Sequence, residues 1–367
     1  MQRSLIVTKI IENILSKVKS MKICVVGNYG DGLHKVTDGQ GIKTVELYEA
    51  LNEQYGDQSV CKLNLYSKNN IVLGMKLFFR MFQCSHLIVL VSKNGRKTII
   101  PLMVFLNKLF RKNIFHSLIG STSHQTLEEN PNLIPIYNSL NGNWSETSTE
   151  KKLLEKLGLT NVSVVKNFKD LQILEKNQLA NYTDSVFKFC TFSRVEPLKG
   201  IPNVIEAIKR INQEYGRNVC TLDIYGKVQD FYQKDFEVLQ KELDESIQYK
   251  GVVDFDKSVN TLKEYYMLIF PTLYYTEGIP GTLIDAMAAG LPIISAEWES
   301  CFDIMNSKIG LTYKFGSDDD LVDCIKFGIA NRETINSMKS ECINEARKYL
   351  RKEAIKDVCN KLEGKYE

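Results

Sequence analysis

From Lys22 onward the chain alternates short apolar runs with helical stretches, stops, and then does the same again. That pattern commits a polypeptide to parallel sheets covered on both faces by helices. The spacing predicts strands at 23–26, 60–66, 87–91, 113–117 and 162–165, with helices near 41–55, 70–82, 97–110 and 148–158. A polar stretch, Glu175 to Asp184, interrupts it. Strands then resume at 187–192, 219–225, 246–250, 267–270 and 292–295, with helices near 201–215, 231–244 and 281–289, and a helical tail from Asp318. The expectation is α/β, two doubly wound Rossmann-like domains facing a central cleft. The first spans 21–180 and the second 185–345, with a helical tail at 346–367. A length of 367 residues suits two such domains.

Residues 1–20 form an amphipathic extension with Ile6, Val7, Ile10, Ile11, Ile14, Leu15 and Val18 on one stripe. Lys9 and Glu12 break it before it becomes a secretory core. The longest charge-free run is too short and too polar to span a bilayer. Nine cysteines lack any C-x-x-C pair, which argues for reduced thiols in a cytoplasmic protein and against a zinc site.

The formal net charge of +3 conceals an asymmetry. Residues 1–180 carry 23 basic and 14 acidic side chains, the remainder 24 and 30. Gln58 to Leu127 holds ten basic residues and no carboxylate. Its segments 77–82 and 105–112 mix bulky apolar with basic residues, as segments lying on an anionic membrane do. A pair of core-packed helices with a solvated basic face gives the same pattern. No nucleic-acid recognition motif accompanies the charge.

Chemistry in this architecture sits beyond the carboxyl ends of strands. The loop after the first strand, Gly27-Asn28-Tyr29-Gly30-Asp31-Gly32, with Gly39 and Gly41 before a helix, is as consistent with a plain turn as with a ligand loop. It does not match G-x-G-x-x-G. Arg194 and Lys199 follow a strand and precede a helix, where a diphosphate would need cations. In Glu277 to Pro292, two carboxylates, Glu277 and Asp285, flank a helix start whose N–H groups at Gly281, Thr282 and Leu283 form an anion site. Such a set suits a ligand that is both phosphate and polyol. Asp254-Phe255-Asp256 precedes a helix and reads as a cap, not a metal site.

These residues resemble the retaining glycosyltransferases of group 1, also called family 4, with the GT-B fold. The resemblance is carried by Arg194 with Lys199-Gly200 and by the E-x-G-x-P-x-x-x-x-[ED]-A-x-A-x-G-x-P pattern from Glu277 to Pro292. It implies that Arg194 and Lys199 hold the diphosphate of a nucleotide sugar, that Glu277 touches the donor sugar and that Asp285, shorter than the commoner Glu, binds the ribose. Base selection falls near Gly226 to Val228 and Gly251 to Asp254, and Gly41 joins the donor site. Ser145-Glu146-Thr147, Asn161-Val162 and Asn167-Phe168-Lys169 are similar to a run in the capsular and exopolysaccharide branch. His116 stands on the acceptor side or is merely structural. The reaction implied is metal-independent transfer with retention to a lipid-linked saccharide, by a bacterial enzyme peripheral on the inner face of the plasma membrane. No cofactor is expected beyond the donor. A nucleotide-sugar epimerase and a catalytically silent partner subunit are the alternatives.

Overall fold

The computed structural model describes residues 21–30, 39–66 and 70–365. The expected extension at 1–20 lies outside them. The described residues divide into two compact units, one formed by those up to 166 together with 354–365 and the other by 167–353.

The first unit is a six-stranded, wholly parallel sheet in the order β2-β1-β3-β4-β5-β6. Its strands are β1 (Ile23–Gly27), β2 (Val60–Asn64), β3 (His86–Val89), β4 (Asn113–Ser117), β5 (Gly142–Ser145) and β6 (Val162–Val164). Its helices are α1 (Gly39–Tyr55), α2 (Asn70–Gln83), α3 (Lys93–Phe110), α4 (Ser123–Glu129), α5 (Ile134–Asn138) and α6 (Ser148–Lys156). Gly39 and Gly41 therefore lie inside the first turn of α1 rather than before it. The central strands are apolar and buried on both faces, with Ile23 to Val26 at 0% exposure. β5 is absent from the sequence-based expectation because Gly-Asn-Trp-Ser has no apolar run. It is nonetheless buried throughout, with Trp144 stacked on Phe115.

The second unit carries β7 (Phe187–Phe192), β8 (Cys220–Tyr225), β9 (Ile247–Gly251), β10 (Met267–Phe270), β11 (Ile293–Ala296) and β12 (Gly310–Tyr313), also all parallel. The order β12-β11-β10-β7-β8-β9 is the doubly wound dinucleotide-fold order, with its reversal between β7 and β10. Covering helices are α7 (Ile201–Tyr215), α8 (Gln233–Lys241), α9 (Ser258–Leu262), α10 (Gly281–Ala288), α11 (Asp318–Ala330) and α12 (Arg332–Ala346). β12 was not expected from sequence.

Two boundaries differ from expectation. Residues 167–180 belong to the second unit, since Leu174 is buried in its core and donates its N–H to Ala288 O at 3.0 Å. The last helix, α13 (Arg351–Leu362), is no free tail: from Ala354 onward it belongs to the first unit, where Tyr55 donates to Glu363 at 3.0 Å. Among the described residues no helix is long and apolar enough to cross a membrane.

Candidate functional site

The strand-order reversal of the second unit leaves two loops side by side at the carboxyl ends of β7 and β10. Two glycines let the loop after β7 approach its neighbours, Gly200 against the loop after β10 and Gly226 from the loop after β8. A Cβ on Gly200, whose φ is +66°, would stand 1.9 Å from Pro271 O, and one on Gly226, at φ +136°, would stand 1.7 Å from Ser193 O. Leu273 N–H donates to Leu198 O at 2.8 Å, and Val195 N–H to Lys227 O at 2.9 Å, so the loop carrying Arg194 and Lys199 is stitched on both sides.

Lys199 is buried and its ammonium pairs with the Glu277 carboxylate. The hydroxyl of Thr272 donates to the same carboxylate at 3.0 Å, and the Tyr274 ring lies 5.0 Å from the ammonium. Sequence placed these two residues in separate motifs, and the fold makes them one ion pair. Thr272 had no signal of its own. Arg194 is half-exposed, 3.2 Å from Glu196, leaving its guanidinium accessible to a ligand.

Four residues beyond Glu277 the helix α10 starts. The N–H of Leu283 is not free, because it donates to Pro280 O at 3.1 Å. This corrects the expected three-amide anion site and leaves Gly281 and Thr282 as the candidates. Thr282 Oγ1 is enclosed without a hydrogen-bond partner, so a polar group at the helix start has an unmet valence that an anion or hydroxyl would fill.

Asp285, expected at a ribose, lies inside the unit. Lys169 Nζ reaches its two carboxylate oxygens at 2.7 and 2.6 Å, and Ser258 Oγ donates to it at 3.1 Å. Burial pushes the carboxyl upward, against the pull of Lys169. The shorter side chain thus serves an internal ion pair. Lys169 runs past the start of α10, with Cδ 3.5 Å from where a Gly281 Cβ would be, and Asn167 Nδ2 donates to Ile279 O at 3.0 Å. The Asn-Phe-Lys run therefore fixes the turn that begins α10. A cavity of about 560 Å³ lies beside Ser258, lined by Leu171, Leu174, Phe255, Asp256 and Asn260. Asp254 takes the expected cap position, but its carboxylate pairs with Lys257 at 2.9 Å rather than capping the turn. Gly251 closes β9, with its carbonyl accepting from Gly226 N–H at 2.8 Å.

In the first unit, β4 carries His116 into the interior, fully buried and edge-on to Tyr137 at 5.4 Å between centroids. Burial, then the nearby Arg96, pulls it down to about 3. It is a packing residue here, not a surface for an acceptor. A histidine neutral in the fold and protonated when unfolded makes stability rise with pH across the window between the two values. The contribution is complete above the ordinary value near 6.5 and is lost as pH falls toward 3. At pH 5 the loss is about 2 kcal/mol. Urea titrations at pH 7.5 and 5 check this: His116→Phe should lose less stability than the parent over that interval.

The Ser145-Glu146-Thr147 run is structural too. Glu146 accepts from Lys43 of α1 at 2.6 Å, and the Thr147 hydroxyl caps α6 by accepting from Glu150 N–H at 3.1 Å. At the order reversal of this sheet, between β1 and β3, a cavity of about 270 Å³ is lined by Asn28, Gln40, Tyr66, Val91, Ser92 and Gly95.

A cation, a carboxylate and a helix start thus stand at the reversal point of a doubly wound unit, the place where ligands bind in such sheets. Residues 174–349 match the family model described as Glycosyl transferases group 1. Over 94% of its length the chain has the GT-B fold, as solved structures show. HepE of Anabaena in complex with UDP superposes with a TM-score of 0.74 at 13% identity, covering 94% of this chain and 100% of that one. Sucrose-phosphate synthase of Thermosynechococcus elongatus gives 0.69 at 14%, with the same coverage. The lipopolysaccharide outer core galactosyltransferase WaaB, in its apo form, gives 0.66 at 14%, again covering 94% and 100%. A comparison with curated protein sequences finds no match.

Proposed function

We propose that the protein is a glycosyltransferase that moves a sugar from a nucleoside-diphosphate sugar to a saccharide hydroxyl with retention of configuration. One observation carries the reading: Lys199 and Glu277, brought together from adjacent strand ends, stand just ahead of a helix start with an unmet polar valence. Lys199, Arg194 and the Gly281 and Thr282 amides take the diphosphate, whose charge grows as the glycosidic bond breaks. Glu277, released from Lys199 when the diphosphate arrives, accepts hydrogen bonds from the donor sugar. Asp285 holds Lys169 beside the start of α10, and the donor makes no demand on its carboxylate. The residues placed here include no dedicated base for a double displacement, so the departing phosphate takes the acceptor's proton on the same face.

HepE binds UDP and UDP-glucose, so UDP-glucose is the first donor to test. A thermal-shift screen of UDP, GDP and ADP sugars should raise the melting temperature for one of them. No rise with any, at millimolar concentration, overturns the donor site.

The first unit meets a membrane-bound, lipid-linked acceptor. Helices α2 and α3 touch through Phe78 and Phe110, 4.9 Å apart between centroids, and expose Met75, Phe79, Phe82, Phe105 and Leu109. Of the ten basic residues, Arg96 is buried on Thr122 and the Ile119 carbonyl, while Lys93 and Lys97 pair with Glu129. Lys76, Arg80, Lys108, Arg111 and Lys112 remain on α2, α3 and the turn after α3. At ~1 kcal/mol each on an anionic leaflet they supply ~5 kcal/mol, a sub-millimolar association that apolar insertion strengthens. The protein should co-sediment with phosphatidylglycerol vesicles at low salt and not with phosphatidylcholine alone. The double variant Phe79→Ser/Phe82→Ser should lose most of that binding.

A further inference from the structure

Three thiols meet at the opposite end of the first sheet from the ligand-bearing loops. Cys24 and Cys61 are the second residues of β1 and β2 and pair directly across the two strands, and Cys84 follows α2 just ahead of β3. Their sulfurs all lie within 4.8 Å of one another, and Cys61 Sγ and Cys84 Sγ are 3.5 Å apart. Cys24 and Cys84 are buried, whereas Cys61 is partly exposed. No step of the proposed transfer uses them.

The three positions are chemically unequal. Thiol donation from Cys24 and Cys84 onto the Cys61 sulfur, aided by Arg80 and Lys22, holds Cys61 well below the ordinary thiol range. The same contacts, with burial, push Cys24 up. A partly exposed thiol with a second sulfur 3.5 Å away, a third within 4.8 Å and cations nearby is the environment of a reactive cysteine. The resolving partner is decided by backbone geometry. Cys24 and Cys61 are direct neighbours on parallel strands about 4.8 Å apart, with side chains pointing the same way, so their Cβ atoms stay farther apart than the roughly 3.8 Å a relaxed disulfide wants. Cys84 comes from a helix end and approaches across the face, already at sulfur contact.

We propose that Cys61 is a peroxide-reactive thiol that Cys84 resolves into a reversible disulfide. The Cys61 thiolate attacks hydrogen peroxide, the O–O bond breaks, hydroxide leaves, and Cys61 becomes a sulfenic acid. Cys84, losing its proton, attacks the Cys61 sulfur. The S–S bond forms as the S–O bond breaks, and the departing hydroxide takes up that proton as water. Two thiols are oxidised to one disulfide while one peroxide is reduced to two waters. A dithiol reductant returns the pair. The bond would tie the end of α2, which bears the exposed Phe79 and Phe82, to β2.

The test uses the full chain, reduced and then treated with a modest excess of hydrogen peroxide, with non-reducing peptide mass mapping. The expected product is a cross-linked 61–84 peptide pair lost on dithiothreitol. Cys84→Ser should instead trap sulfenic acid at Cys61, captured by dimedone, and Cys61→Ser should give neither product. Cys84→Ala repeats the trap if the serine variant folds poorly. A cross-link from Cys61 to Cys24, absence of a dimedone adduct at Cys61 in both Cys84 variants, or tight stoichiometric zinc released by Cys61→Ser would each overturn the proposal.

Discussion

Replacing Lys169 with methionine should destabilise the second unit by about 3–5 kcal/mol, measured as a drop in the urea midpoint with an unchanged slope. Methionine keeps an unbranched side chain out to Cε, with sulfur in place of Cδ, and removes the ammonium. Asp285 would then stay in the interior with Ser258 Oγ as its remaining hydrogen-bond donor. A buried carboxylate deprived of its cation either pays the desolvation cost or takes up a proton. The loss should therefore be larger at pH 8 than at pH 5, where protonation relieves it. The double variant Lys169→Met/Asp285→Leu should recover most of the stability, because an apolar pair of similar volume removes both charges together. Equal losses in the single and double variants would show that packing, not charge, holds the segment.

Lys199→Ala should lower kcat/KM at least ~10²-fold with the donor that raises the melting temperature, about 3 kcal/mol of transition-state stabilisation. The ammonium is buried and already neutralised by Glu277 in the free protein. A diphosphate must therefore win it from a carboxylate, and the exchange gains most when the leaving group carries its full charge. The effect should fall mainly on kcat. Arg194→Ala should cost less, since its guanidinium is half-exposed and screened. Full turnover in Lys199→Ala would remove the residue from the reaction.

Much of this protein was legible in its sequence. The strands that run apolar from end to end, such as Ile23 to Val26 and Met267 to Phe270, are predictable because a strand buried on both faces must be apolar at every position. The turn around Gly200 and the helix start within Glu277 to Pro292 were legible for a related reason: close backbone contact and a helix start demand particular residues locally. β5 was invisible, because Gly-Asn-Trp-Ser acquires its burial entirely from β4, β6 and the helices above.

The roles of the charged residues belonged to tertiary structure. Asp285 read as a ribose ligand until Lys169, 116 positions away, was found against it. Arg96 counted toward a basic surface until the fold buried it. His116 ended a strand in sequence and lies inside the unit in three dimensions. Hydrophobic periodicity is a local property and survives in one dimension. A charge acquires its meaning from its dielectric surroundings and its partner, and both are supplied by segments remote along the chain.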